Sequence, residues 1–310
     1  MQQLISHEKW SFDLRNLRGE LRHSEPLAHH TSWRVGGPAE WFYKPADRED
    51  LIHLLQQLPS EMPLFWLGLG SNLLVRDGGL PGMVILTTRC LNQLNLLNQN
   101  QLYVEAGVSC AKLARYAARH GLSGTEFLAG IPGTFGGALA MNASAWGGDT
   151  WSLVQSLETV DRQGRLYHRT PEEYQVGYRH VIGPKDEWFV AATLQLTSQN
   201  NIEENLANIQ TLLKKRSETQ PIGLPSCGSV FRNPPGDYAA RLIEQDGWKG
   251  CRVGDACVSE KHANFIINTQ SATAMQIETL ILKIRDSIQK HYGVYLIPEV
   301  HIVGEISPCF

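Results

Sequence analysis

Two glycine-rich segments carry the residue types that can hold a phosphate with the backbone alone. Gly68-Leu69-Gly70-Ser71-Asn72 follows the apolar stretch Leu64 to Leu67, so its N–H groups can converge on an anion without interference from Cβ atoms. Leu73 stands where a dinucleotide fingerprint would have its third glycine, and no Gly-Lys-Ser/Thr follows, so this is neither a Rossmann fingerprint nor a P-loop. Taken alone, the segment fits a tight turn with no ligand equally well. The second segment is denser: Gly130-Ile131-Pro132-Gly133-Thr134-Phe135-Gly136-Gly137-Ala138-Leu139-Ala140-Met141-Asn142-Ala143. So many small residues cost backbone entropy on folding, which points to close approach by a large flat or multiply charged ligand. A hinge or a packed turn is the alternative.

The elements around these loops alternate between helix and strand. Leu51, Leu54, Leu55 and Leu58 fall on one face of a helix over 50–58, followed by a strand at 64–67. A strand is predicted at 102–106, then a helix capped by Ser109, running through His120 and stopped by Gly121. Strands at 157–160 and 188–196 flank a hairpin turn at 161–164. A helix carrying Ile202, Leu206, Ile209 and Leu213 ends in Lys214, Lys215 and Arg216 before Pro221 and Pro225, and the domain boundary is set near residue 200. Beyond it come a helix over 238–246 capped by Asp237, a strand at 265–268, and a long helix opened by Ser271 and closed by Gly293. That helix aligns Ile277, Ile281, Ile284 and Ile288. The reading is α+β in both parts, with no internal repeat.

Bulk properties bound the function. The chain has 310 residues, 42% of them hydrophobic, which suits a globular enzyme with two cores. A net charge of -3, from 28 basic and 31 acidic residues, gives no electrostatic reason to expect nucleic acid or an anionic membrane as partner. The first residues carry His7, Glu8, Lys9, Asp13 and Arg15 and no apolar core of signal-peptide length, so a cytoplasmic location is expected. Cys90, Cys110, Cys227, Cys251, Cys257 and Cys309 form no C-x-x-C pair, which disfavours zinc and disulfides and leaves no metal expected.

The two loops, together with Thr31-Ser32-Trp33-Arg34-Val35-Gly36-Gly37 upstream, resemble the UDP-N-acetylenolpyruvoylglucosamine reductase family. Gly177-Tyr178-Arg179, the run Cys227 to Pro234, and Ile297-Pro298-Glu299-Val300 extend the likeness, which covers residues 30 to 303. The short interval from Arg179 to Trp188 is similar to the subclass without an extra tyrosine loop. The resemblance implies a PCMH-type (vanillyl-alcohol-oxidase-like) FAD-binding domain over 30–199 and a smaller α+β substrate-binding domain over 200–310. It implies bound FAD, held by Gly68, Gly70, Ser71, Asn72, Gly130, Gly133, Gly137, Asn142 and Ala143. NADPH is implied as hydride donor, although the chain has no visible nicotinamide motif.

The same resemblance assigns Arg179, Ser229 and Glu299 to catalysis. The implied reaction converts UDP-N-acetylglucosamine enolpyruvate to UDP-N-acetylmuramate, a step toward peptidoglycan, with hydride passing from flavin N5 to the enolpyruvyl group. Negative charge then develops beside the substrate carboxylate. A permanently cationic, forked Arg179 suits that charge better than a lysine would, and a hydroxyl at Ser229 can deliver the proton to a strongly basic carbon. Glu299 orients this network or, if protonated, shares the charge. Arg232, Asn233 and Lys215 are expected to meet the UDP-sugar, the expected partner, and no obligatory protein partner is evident. Ser144 and Trp146 stand where many family members have Gly and Tyr, and Val181 and Asp255 also depart from the common pattern. Competing readings are an oxidase of the same flavin fold and a binding module without catalysis.

Overall fold

The computed structural model describes residues 4–6, 10–13, 15, 17–199 and 201–307. Its contacts divide the chain into two compact units. The first gathers Phe42–Gly68 and Gly82–Lys214 with the N-terminal residues through Arg22, and the second gathers His23–Trp41, Leu69–Pro81 and the chain from Lys215 onward.

In the first unit five antiparallel strands form one sheet in the order Leu166–Arg169, Val154–Asp161, Glu187–Gln195, Gln101–Glu105, Leu94–Leu96. Leu102 and Val104 alternate inward, as do Ala192 and Leu194, and all four are buried. Helix Cys110–Arg119 covers this core with Cys110, Leu113, Ala114, Ala117 and Ala118, the spacing of a single helical face. Ser109 caps it as expected, its side chain accepting from the Lys112 N–H at 3.3 Å, and Gly121 stops it at φ +70°. Helix Arg48–Gln57 and strand Leu64–Leu67 also match the periodicity, the strand pairing in parallel with Met83–Leu86.

The turn at Asp161–Gly164 forms, with Gly164 at φ +77°, but it leads into the strand Leu166–Arg169, while Glu187–Gln195 pairs along the other side of Val154–Asp161. Leu166 and His168 are exposed, so that edge strand lacks the apolar alternation that marks its neighbours. Helix Ile202–Thr219 begins just beyond residue 200, and its residues divide between the units at Lys214 and Lys215. Ile209 and Asn205 are its buried residues, and the Asn205 amide donates to the Leu122 carbonyl at 3.2 Å.

The second unit is built on helix Ala274–Tyr292, which buries Ile277, Ile281, Ile284 and Ile288. Its cap is Thr273 with Gln276 in a reciprocal box, not Ser271, whose N–H donates instead to Asp255. Asp77 adds both carboxylate oxygens to the same helix end, accepting from Ala274 N at 2.9 Å and Met275 N at 3.0 Å. The shorter helix spans Ala239–Gln245 and begins at Tyr238. Asp237 does not cap it: its carboxylate takes the Tyr238 N–H and pairs with Arg241, which holds it down at about 2. Strands Arg252–Val253, Ala256–Val258 and Ile266–Asn268 form an antiparallel sheet, and Leu73–Val75 pairs in parallel with His301–Val303.

Trp33 is the largest side chain in this core and is fully buried. Its indole N–H donates to the Ile266 carbonyl at 2.7 Å, and its own carbonyl accepts from the Asn268 amide at 3.0 Å. No helix among the described residues is long and apolar enough to cross a membrane. Trp33→Ala is expected to destabilise the second unit by about 3–5 kcal/mol through the cavity it leaves. Trp33→Phe should cost about 1–3 kcal/mol, because the Ile266 carbonyl loses its donor. Urea midpoints for the two variants check both values.

Candidate active site

In the second unit the glycine turn, the serine segment and the glutamate segment adjoin one another. The Asn72 carbonyl accepts from His301 N at 3.1 Å, and the Asn72 amide donates to the Glu299 carbonyl at 3.1 Å. Glu299 N in turn donates to the Val230 carbonyl at 2.7 Å, Arg232 N to the Ile297 carbonyl at 2.9 Å, and Phe231 bridges Pro298. Gly70, Ser71, Asn72, Ser229, Arg232 and Glu299 therefore lie on neighbouring segments of one unit. Asn264 fixes the middle of this array: its side chain accepts from Phe231 N at 2.9 Å and donates to the Phe231 carbonyl at 2.8 Å.

Ser229 and Glu299 are half-buried, and the Gly228 that precedes the serine has φ +79° with open space where a Cβ would stand. Arg232 keeps its Nε buried with no partner among the described residues. The Asn233 side-chain oxygen accepts from Ala239 N at 3.1 Å, so part of that amide is spent on opening a helix. Lys215 is exposed on helix Ile202–Thr219.

The turn itself has the form of an anion cradle. Gly70 sits at φ +59°, where a Cβ would lie 2.1 Å from the His30 carbonyl oxygen, and its own carbonyl accepts from Ser32 N at 3.0 Å. The N–H groups of Leu69, Gly70, Ser71 and Asn72 have no hydrogen-bond partner among the described residues. Unpaired successive amides in a glycine turn suit an anion.

In the first unit Gly68 lies against the second glycine loop, since a Cβ there would stand 2.5 Å from the Thr134 hydroxyl oxygen. Thr134 caps helix Phe135–Met141 and accepts from Gly137 N at 3.3 Å. Phe135 N and Gly136 N donate to the Val108 and Ala106 carbonyls at 2.7 and 2.8 Å, so the first turn of this helix is satisfied internally. The N–H groups of Gly133 and Thr134 have no partner among the described residues. Gly130 is buried at the end of a 3-10 turn, and Gly137 is exposed.

Asn142 ends the helix in the left-handed region at φ +40°. Its side chain accepts from Trp151 N at 3.2 Å and donates to the Gly177 carbonyl at 3.4 Å, while Ala143 O accepts from the Thr150 hydroxyl at 2.7 Å. Gly177 belongs to the hairpin Gln175–Gly177 and His180–Ile182, whose tip is Tyr178 and Arg179. Arg179 has φ +56°, and its guanidinium donates to the Ser144 hydroxyl at 2.7 Å and the Ser144 carbonyl at 3.2 Å. The Tyr178 ring lies under it, 5.1 Å from the guanidinium carbon. Sequence reasoning singled out Ser144 as a departure but not as the acceptor for Arg179. It passed over Thr134, although a threonine ahead of a small-residue helix is an N-cap signal.

Comparison with known proteins decides the family. The model of the UDP-N-acetylenolpyruvoylglucosamine reductase C-terminal domain matches residues 220–303, and an FAD binding domain model matches 39–170. Proteins named UDP-N-acetylenolpyruvoylglucosamine reductase from Alkalilimnicola ehrlichii and Methylococcus capsulatus are 61% and 58% identical, each over 93% of this chain and 96% and 94% of their own length. The chain belongs to the UDP-N-acetylenolpyruvoylglucosamine reductase family. The crystal structure of the reductase from Thermus caldophilus superposes with a TM-score of 0.79 at 35% identity, covering 92% of this chain and 99% of that one. The fold is accordingly α+β, a PCMH-type FAD-binding domain followed by a smaller α+β domain, and the protein is an FAD-containing oxidoreductase.

Electrostatics separate a few groups from their ordinary behaviour. Burial pushes the Cys90 and Cys110 thiols up to about 12 and the Cys227 thiol well above its ordinary value, with the nearby Glu299 charge adding to the last. These three, Cys251 and Cys257 are free thiols, while Cys309 lies outside the described residues. No group of three or more His, Cys, Asp or Glu side chains among the described residues could hold a metal ion.

His262 lies in the run Val258 to Phe265, edge-on to Phe265 at 4.7 Å, and its Nδ1 accepts from Asn264 N at 3.3 Å. Burial holds its pKa below 6.5, with the Lys249 charge adding to the effect. A base held neutral in the folded state binds fewer protons than in the unfolded chain. Stability should therefore fall as pH drops below 6.5 and level off below the folded pKa. The pH profile of Tm checks this, and His262→Gln should flatten it. Gly70→Ala is expected to destabilise by more than about 1 kcal/mol, from left-handed strain plus the collision with His30 O, again read in urea.

Proposed function

We propose that the protein reduces UDP-N-acetylglucosamine enolpyruvate to UDP-N-acetylmuramate with NADPH, through bound FAD, as a cytoplasmic step in making the peptidoglycan precursor for cell wall growth and division. The observation that carries this reading is the pairing of Glu299 N with the Val230 carbonyl, which sets the Ser229 and Glu299 segments side by side next to the Gly70 turn. The relatives' names supply the substrate class, and the family resemblance supports NADPH.

The residues present fit a dinucleotide. Taken unit by unit, the N–H groups of Leu69 to Asn72, and separately those of Gly133 and Thr134, have no partner among the described residues and can each donate to a phosphate. Gly68, Gly70, Ser71, Asn72, Gly130, Gly133, Gly137, Asn142 and Ala143 would hold FAD, which supplies two-electron redox chemistry when bound.

The chain's own groups do the rest. Arg179 binds the substrate carboxylate and strengthens its hold as negative charge grows there. Ser229 delivers a proton to the carbon beside that carboxylate. Glu299 orients the serine. Arg232, whose buried Nε has no partner among the described residues, meets the diphosphate together with Asn233 and Lys215.

Anaerobic absorption spectra test the scheme. NADPH should bleach the flavin and the enolpyruvyl sugar should restore it without oxygen; absence of that recovery defeats the reading. Ser229→Ala should keep the bleaching by NADPH and slow the recovery on the order of 10²- to 10⁴-fold. An unchanged recovery rate in that variant removes Ser229 as proton donor.

A further inference from the structure

Arg179 occupies an awkward position for a residue that must present a fork to an anion. It stands at the tip of a two-residue turn, at a φ of +56° that L side chains rarely adopt. An arginine side chain is also long and rich in rotamers, so freezing it on a projecting turn costs conformational entropy. Something on the first unit must hold it. The guanidinium finds Ser144, at the foot of the small hairpin Ser144–Ala145 and Gly148–Asp149.

The contact is twofold. Nη1 donates to the serine hydroxyl at 2.7 Å and Nη2 to the serine's own carbonyl at 3.2 Å, so one residue grips both arms of the fork. The shorter bond, to a side chain, has the length of a charge-assisted hydrogen bond. The Tyr178 ring packs on the face of the same guanidinium. A hydroxyl that accepts from a cation must turn its own proton away from it.

We infer that Ser144 is a positioning residue for Arg179: it fixes the plane of the guanidinium and orients it for the substrate carboxylate. The inference rests on the role given to Arg179 above, and it adds a residue that the glycine commonly found at this place could replace only in part. Glycine would keep the carbonyl contact and lose the hydroxyl one. The same holds for alanine, which makes Ser144→Ala the direct probe.

The measurement is steady-state kcat/KM for the enolpyruvyl sugar in the FAD-loaded enzyme, with FAD content recorded for each variant. Ser144→Ala should lower kcat/KM about tenfold, the low end for a hydrogen bond to a charged group, because the carbonyl contact survives. Ser144→Thr, which keeps the hydroxyl, should recover to within about threefold of the original. In an Arg179→Ala background the alanine at 144 should have almost no further effect, since its partner is gone.

A purely structural serine would give the same loss in both backgrounds, and that additive result overturns the inference. So does a Ser144→Ala enzyme within twofold of the original, or a threonine variant no better than alanine. If the original enzyme does not reduce the sugar at all, the functional reading fails instead, and the two failures are told apart by that control.

Discussion

Side-chain amides of asparagine satisfy backbone groups at several irregular segments near the candidate site. Asn264 makes the paired contact to both backbone groups of Phe231 that a neighbouring strand would otherwise make. Asn72 ties the glycine turn to the Glu299 carbonyl, Asn142 ties a helix end to the Gly177 carbonyl, and Asn268 reaches the Trp33 carbonyl. An unpaired buried backbone group costs about 1–3 kcal/mol, so irregular segments survive only if something satisfies them. Asparagine carries an NH2 donor group and a carbonyl acceptor on a short, planar tip, which matches a peptide group. Asn264, Asn72 and Asn142 thus fasten the segments that carry Ser229, Glu299 and Arg179.

The two glycine segments use their freedom in different ways. At Gly70 the requirement is conformational and steric at once, a positive φ with a carbonyl where a Cβ would be. At Gly68 it is steric, since the space belongs to the Thr134 hydroxyl. The helix Phe135–Met141 within the second segment spends its first N–H groups on Val108 and Ala106 and on Thr134, so the donors left for a ligand lie one step earlier, at Gly133 and Thr134. Helix ends do not always serve the anion nearest to them; here the loop before the helix has the open amides.

Much of the regular structure was legible because burial imposes a period. The leucines of Arg48–Gln57, the isoleucines of Ala274–Tyr292 and the capping serine at 109 each report a physical requirement that sequence spacing reveals directly. The edge strand Leu166–Arg169 was not legible, since a half-exposed edge has no burial period to read. The true cap at Thr273 was obscured by Ser271, two positions earlier, which bonds to Asp255. The site was legible only as short motifs, because what joins Asn72 to Glu299 is a hydrogen bond across 227 positions. Likewise the grip of Ser144 on Arg179 spans 35 positions and leaves no local trace.

Trp33 and the Ile266 carbonyl are separated by 233 positions, and Asp77 reaches the start of its helix across 197. During synthesis on the ribosome the early tryptophan must therefore wait, exposed, for nearly the whole remaining chain to be made. The intervening first unit has its own sheet and core and can condense meanwhile. Such distant pairings are slow to form and leave apolar surface accessible in the interval. This ordering leaves the early pieces of the second unit, Trp33 among them, without their core partners until the C-terminal stretch has been made.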